Sequence, residues 1–185
     1  MLSGEGGTED LELIRRFLGG DEKAFEILLE RYYPRIYRLA SHLLGNPAAA
    51  EDIAQEAFMR AYRALPRFRG DASVYAWLYR ITVNLCLNFL QRAHPLPDDN
   101  SLSPPPGPDA STQLEAKQRQ VMVRRAIDSL PLHYRTVVIL SAVEDLTYQE
   151  ISDLLGTPMG TVKSRINFGK RLLKEKLRPL LDQRA

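Results

Sequence analysis

The sequence is poor in cysteine and histidine, and it contains no long apolar run. Cys86 is the single cysteine, which excludes an internal disulfide, and His42, His94 and His133 are too scattered for a metal site. No stretch approaches the roughly 18 consecutive apolar residues of a membrane span, and the start, MLSGEGGTEDLE, is acidic and unlike a secretory signal. We therefore expect a cytoplasmic protein without membrane insertion or cofactors, in which Cys86 is a small core residue.

Alternating runs of β-branched residues bounded by turn residues are also missing, so no strand is predicted. Apolar residues recur instead at helical spacing. Helix-start signals are Asp21, Asn46-Pro47, and either Asp71 or Ser73. The fold class is therefore all-α, with helices predicted over 10–18, 22–44, 48–65, 74–92, 115–129, 134–143, 148–155 and 158–178.

A proline-rich segment interrupts these helices. Six of the twelve prolines lie within PLPDDNSLSPPPGP, which has no Lys or Arg. Because such a segment buries too little surface to offset its ordering entropy, it predicts a flexible linker over 95–114. The linker divides the chain into a four-helix domain, 1–94, and a C-terminal domain, 115–185.

The C-terminal domain shows the pattern of a helix-turn-helix. Thr147 and Glu150 have the spacing of a capping box, which starts a short helix, and Gly156 ends it by permitting a positive φ. Thr157-Pro158 is expected to cap and start the next, longer helix. A short helix, a glycine turn and a long helix are typical of DNA-binding proteins.

The long helix has an apolar side and a basic side. Val162, Ile166 and Gly169 fall on one arc, together with two leucines further along, and should pack on the domain. Although the net charge of the whole chain is only +2, residues 157–185 hold eight basic and two acidic residues, which favours an anionic partner. The opposite side predicts a DNA-reading face formed by Thr161, Lys163, Ser164, Arg165, Asn167, Phe168, Lys170, Arg171 and Lys174.

Three segments carry a family resemblance. TYQEISDLLGTPMGTVKSRINFGKRLL resembles the −35-reading motif of extracytoplasmic-function sigma factors of bacterial RNA polymerase. AAAEDIAQEAFMRAYRALPRF resembles their polymerase-binding helix, and FRGDASVYAWLYRITVNLCLNFLQR is similar to their −10 recognition segment. The three motifs follow the family's order and cover nearly the whole chain. The resemblance therefore implies a promoter-recognition subunit, with sigma region 2 over 1–94 and sigma region 4 over 115–185.

The resemblance also assigns the partners of the polar face on the helix from Pro47. Taken alone, that face could simply be solvated, with helical pairs such as Glu56–Arg60. In the family, the positions of Asp52, Gln55 and Glu56 meet the coiled-coil clamp helices of the polymerase β′ subunit. The expected partners are core RNA polymerase, through the β′ clamp helices and the β flap, promoter DNA, and an inhibitory anti-sigma factor.

By the same resemblance, the loop of Phe68, Arg69, Gly70 and Asp71 receives a base flipped from the non-template strand of the −10 element. An aromatic ring offers a stacking surface to such a base, although Phe68 could equally close the core of the bundle. The following helix carries a polar row that matches the family's −10-reading face, formed by Arg80, Asn84 and Asn88.

The chain departs from the family after Lys163-Ser164-Arg165. An arginine is common two or three positions further on, where this sequence has Asn167-Phe168-Gly169. Phe168 could contact a thymine methyl group or pack on the preceding helix. Its role is open at this point.

The function predicted from these residues is promoter recognition and DNA opening with core polymerase, without catalysis by this chain. A stand-alone helix-turn-helix regulator, with a ligand-binding or dimerising N-terminal bundle, is the alternative. It predicts tight duplex binding by the protein alone, whereas the sigma interpretation predicts initiation only with core enzyme.

Overall fold

The computed structural model describes residues 7–93 and 121–182, with side chains described for 7–92 and 121–178. The described part of the chain is helical and contains no strand, as predicted for an all-α fold. The proposed linker, 95–114, lies outside the described residues. The helices are α1 Gly7–Leu18, α2 Glu22–Leu44, α3 Pro47–Ala64, α4 Val74–Ala93, α5 over 121–128, α6 Leu132–Ala142, α7 Tyr148–Leu155 and α8 Met159–Asp182.

The local start and stop signals are largely confirmed. The Asn46 side chain accepts a hydrogen bond from the Ala49 amide at 3.2 Å, and Ser73, rather than Asp71, caps α4 by accepting from the Ala76 amide at 3.1 Å. The capping box of Thr147 and Glu150 is formed at the start of α7. Gly156 ends α7 with a φ of 60°.

Two predicted caps are wrong, because the side chains have other partners. Asp21 makes no cap and binds Arg16 at 2.6 Å instead, a pairing that lowers the pKa of the Asp21 carboxyl. The Thr157 hydroxyl donates to the Leu155 carbonyl at 3.4 Å, and no α8 amide among the described residues donates to it, so it does not cap α8. α8 starts one residue later than predicted, with the Pro158 carbonyl accepting from the Val162 amide at 3.0 Å.

Helices α1–α4 form the N-terminal bundle. The apolar positions of α3, including Ile53, Ala57 and Phe58, are buried against α2 and α4. Cys86 is fully buried in α4, as expected for a core residue, and burial raises the pKa of its thiol to about 12.

A buried carboxylate joins α1 to α2, which the sequence did not predict. Asp10 is 1% exposed, and it accepts hydrogen bonds from the Tyr32 hydroxyl and, at 2.6 Å, from Arg31. Because a charge buried without partners is costly, these two donors are what permits Asp10 to lie inside. The network fixes the first helix on the bundle.

Helices α5–α8 form the C-terminal unit, in which α6 and α8 pack most closely. A Cβ added at Gly169 would lie 2.7 Å from the Val138 Cγ2 atom and 3.3 Å from the Tyr134 Cβ atom. Only glycine therefore lets the two helices approach this far. Val162 and Ile166, predicted to face inward, are fully buried.

The bundle and the C-terminal unit contact each other directly. Glu144, which follows α6, has a side chain only 8% exposed and lies 2.5 Å from His42 Nδ1. Arg124 donates from α5 to the His42 carbonyl at 2.8 Å and to the Ser41 carbonyl at 3.3 Å. The C-terminal end of α2 therefore contacts both α5 and the turn between α6 and α7.

Candidate nucleic-acid and polymerase interfaces

The outer face of α3 carries the predicted polymerase-binding residues. Asp52 and Gln55 are exposed, and Glu56 is half-buried while accepting from Arg60 at 2.7 Å. The inward-facing side of α3 consists of alanine and larger apolar residues. The polar side chains of Asp52, Gln55 and Glu56 therefore point outward. The structure thus presents the three residues on one accessible helix face, available to a partner.

Two apolar residues extend this face, and the sequence reasoning missed them. Met59 is 49% exposed and Tyr62 is 43% exposed. Met59 lies one turn after Gln55, and the Tyr62 ring packs on Phe17 and Phe25 with centroids 5.1 Å away. A partly exposed aromatic and a methionine beside polar groups are typical of an interface core. Their helical spacing from Asp52 was the available signal.

The loop between α3 and α4 presents the predicted base-capture residues. Phe68 is half-buried, and its ring packs on Trp77 with centroids 5.0 Å apart. Arg69, Gly70 and Asp71 are exposed, and Gly70 has a φ of 77°, which its turn requires. The ring is therefore held in place from one side by α4 while part of it remains accessible.

The polar row of α4 faces outward as predicted. Arg80, Asn84 and Asn88 are all exposed, whereas Leu78 and Leu85 are buried. Arg80 donates to the Asp153 carbonyl in α7 at 3.3 Å. In this arrangement the C-terminal unit occupies one end of the row.

The basic side of α8 is presented to solvent. Lys163, Ser164, Asn167, Lys170 and Lys174 are exposed. The remaining members are placed differently: Thr161 and Arg165 are half-buried, and Phe168 and Arg171 are exposed but engaged with one another.

Phe168 is part of an aromatic stack between α6 and α8. Its ring centroid lies 4.8 Å from that of Tyr134, at an interplanar angle of 32°. The His133 ring centroid lies 4.0 Å from that of Tyr134. The Arg171 guanidinium carbon lies 4.5 Å above the Phe168 ring, a cation–π contact. Phe168 thus packs on α6 and not on α7, the helix that directly precedes α8, and contact with a thymine methyl group stays a prediction.

The edge of this stack is electropositive. Partial burial lowers the pKa of His133, and the nearby charge of Arg165 lowers it further. The lowered pKa disfavours the protonated form of His133, so Arg165 and Arg171 are the main cations near the stack.

Within the described ranges, no helix is long and apolar enough to cross a membrane. The same residues contain no group of three potential metal-ligating side chains.

Comparison with known proteins identifies the family. Residues 28–95 match Sigma-70 region 2, and residues 120–173 match Sigma-70 region 4. The chain is 35% identical to the RNA polymerase sigma-H factor of Pseudomonas aeruginosa, covering 95% of this chain and 97% of that one. It is 36% identical to the ECF RNA polymerase sigma-E factor of Escherichia coli K12, covering 93% and 96%.

Two solved structures share the fold. The sigma factor RpoE from Bartonella quintana, crystallised with the anti-sigma factor NepR, matches with a TM-score of 0.62 at 23% identity, over 84% of this chain and 98% of that one. CnrH, in complex with the cytosolic domain of CnrY, matches with a TM-score of 0.66 at 23% identity, over 95% and 99%. With two region matches in order and relatives aligned over almost their full length, this chain belongs to the extracytoplasmic-function (ECF) sigma factors of bacterial RNA polymerase.

Proposed function

We propose that this chain binds core RNA polymerase and directs it to promoters by reading the −10 and −35 elements with separate surfaces. One observation carries the proposal: the outer face of α3 and the basic side of α8 are both accessible and lie within the region 2 and region 4 matches. We assign core binding and −10 recognition to 1–94, the linker to 95–114 and −35 recognition to 115–185.

Core binding is assigned to Asp52, Gln55 and Glu56, which would meet the clamp helices of the β′ subunit. The exposed Met59 and Tyr62 beside them would supply apolar contact area, while the polar groups set orientation. The C-terminal unit would rest on the β flap. Attachment at both ends leaves the linker to span the polymerase.

Recognition of the −10 element is assigned to Phe68 and its loop, together with Asn84 and Asn88. A flipped base stacked on the accessible part of Phe68 would gain about 1–3 kcal/mol, and Trp77 already holds that ring in place. Asparagine can both donate to and accept from a base edge. Arg80 would reach DNA only after leaving the Asp153 carbonyl.

Recognition of the −35 element is assigned to α8. Residues in its first turns, including Ser164, Arg165 and Asn167, are placed to meet base edges, as in other helix-turn-helix proteins. Lys170 and Lys174, further along the same side, would bind phosphates and fix the register.

DNA opening by this mechanism needs no reaction. Binding the separated strand more tightly than the duplex shifts the population toward open DNA. Sigma factors are transcription initiation factors, and we propose a cytoplasmic protein with neither catalytic activity nor a cofactor. Because RpoE of Bartonella quintana was solved with an anti-sigma factor, we also propose an inhibitory partner of that class here.

Run-off transcription with purified core polymerase tests this function. Promoters are selected from a random DNA library with the reconstituted holoenzyme, and transcription is then measured with core alone, with the chain alone and with both. We expect transcripts only with both components. Absence of stimulation at every selected promoter, together with tight duplex binding by the chain alone, would favour a stand-alone regulator.

A further inference from the structure

The segment of α8 that departs from the family is structurally specialised. Where an arginine is common, this chain has Asn167-Phe168-Gly169. Gly169 lets α8 approach α6, because any Cβ there would meet Val138 at 2.7 Å. The approach brings the neighbouring Phe168 ring onto Tyr134, at 4.8 Å. We call the two rings of Tyr134 and Phe168 the aromatic shelf.

Arg171, one turn further along α8, places its positive charge over the aromatic shelf. The Arg171 guanidinium carbon lies 4.5 Å above the Phe168 ring. Helical side chains lean toward the N-terminus, so the head of a long side chain covers the turn before its own Cα. The charge of Arg171 thus lies at the level of Phe168, one turn before its own Cα.

The cation–π contact leaves the guanidinium able to bind DNA. The contact is made by the positive charge near the ring face, and a guanidinium has five N–H donors, so donors remain for DNA. Phe168 is 38% exposed and Arg171 is exposed, so the pair lies on the surface assigned to DNA. A flexible arginine without a shelf would lose more rotamer freedom when it binds.

We propose that the aromatic shelf positions Arg171, and that Arg171 supplies a DNA-contacting cation at the level of Phe168. Phe168 and Tyr134 are then positioning residues, and Arg171 is a specificity-determining or phosphate-binding residue of the −35 interface. The inference rests on the proposed −35 recognition by α8. It predicts energetic coupling between Phe168 and Arg171 that is absent between Phe168 and Lys174.

A double-mutant cycle in the holoenzyme tests the coupling. Half-saturating holoenzyme concentrations are measured on a selected promoter with its −35 element intact or scrambled, for wild type, Arg171→Ala, Phe168→Leu and the double variant. On the intact promoter we expect about five- to tenfold weaker binding for Arg171→Ala and severalfold for Phe168→Leu, with the double variant no worse than Arg171→Ala. Phe168→Tyr, which keeps the ring, should bind like wild type.

Lys174→Ala is the matched control, since Lys174 is an exposed cation on the same helix but not on the shelf. The loss of binding free energy caused by Lys174→Ala should add to the loss caused by Phe168→Leu. The double variant Phe168→Arg/Arg171→Ala moves the cation to position 168, and it should bind the promoter more tightly than Arg171→Ala. Circular dichroism confirms that each variant retains its helices.

Two results would overturn the inference. One is simple additivity of Phe168→Leu and Arg171→Ala, and the other is a Phe168→Tyr variant that binds as weakly as Phe168→Leu. Failure of the underlying function looks different: scrambling the −35 element would then leave wild-type binding unchanged, and Arg165→Ala would have no effect on either promoter.

Discussion

The close contact between α6 and α8 gives a stability prediction at Gly169. In Gly169→Ala, the new Cβ would stand 2.7 Å from Val138 Cγ2, a separation that real Cβ atoms do not show, and Val138 is only 2% exposed, so it has little room to move. Overpacking of this kind costs about 1–3 kcal/mol. Alanine regains about 1 kcal/mol of helix propensity over glycine, so we expect a net loss of about 1 kcal/mol.

Urea unfolding followed by circular dichroism measures this loss, and two variants isolate its cause. Gly160→Ala lies in the same helix with nothing within 4 Å of its Cβ, so it should cost nothing and gain up to about 1 kcal/mol. In a Val138→Ala background the clashing methyl is gone, and Gly169→Ala should become neutral or stabilising. The packing argument is refuted if Gly169→Ala stabilises as Gly160→Ala does, or if its cost is the same in both backgrounds.

Three further predictions concern the rest of the molecule. Asp10→Ala should lower the free energy of unfolding by about 2 kcal/mol, because it removes the buried carboxylate that accepts from the Tyr32 hydroxyl and from Arg31; an unchanged free energy in urea unfolding would contradict this. Replacing Asp52 and Gln55 by Ala should weaken core-polymerase binding about tenfold in a competition assay without loss of helix, whereas Glu26→Ala on α2 should not; equal affinities would remove the α3 face from the interface. With its pKa raised to about 12 and no exposure, Cys86 should resist thiol reagents at pH 8 until denaturant is added, and rapid labelling of the native protein would disprove its burial.

The local features of this fold were predictable because they depend on neighbours in the sequence. The capping box of Thr147 with Glu150 and the positive φ of Gly156 follow from backbone groups within one turn. The exposed positions of Asp52 and Asn84 follow from helical periodicity. Both kinds of signal need only a few adjacent residues.

Features that depend on contacts between distant residues were missed. Asp10 reads as an ordinary acidic residue in a first helical turn, and only the approach of Tyr32, 22 positions later, reveals it as buried. Asp21 has the identity of a cap, but Arg16 competes successfully for its carboxylate. Gly169 gains its meaning only from Val138 on another helix.

The candidate site divides in the same way. Which residues lie on the basic side of α8 could be predicted from helical spacing, but the pairing of Phe168 with Arg171 could not. The ring orientation depends on Tyr134, which belongs to α6. The roles of the individual residues toward DNA and polymerase remain predictions, and the variants above address them.

We propose that one chain, attached to polymerase, reads two promoter elements at a fixed separation. Run-off transcription from a selected promoter tests it most directly when five base pairs, about half a helical turn, are inserted between the −35 and −10 elements. We expect initiation to collapse, whereas the same insertion upstream of the −35 element should change nothing. Undiminished initiation from the lengthened spacer would contradict simultaneous reading of both elements by this chain.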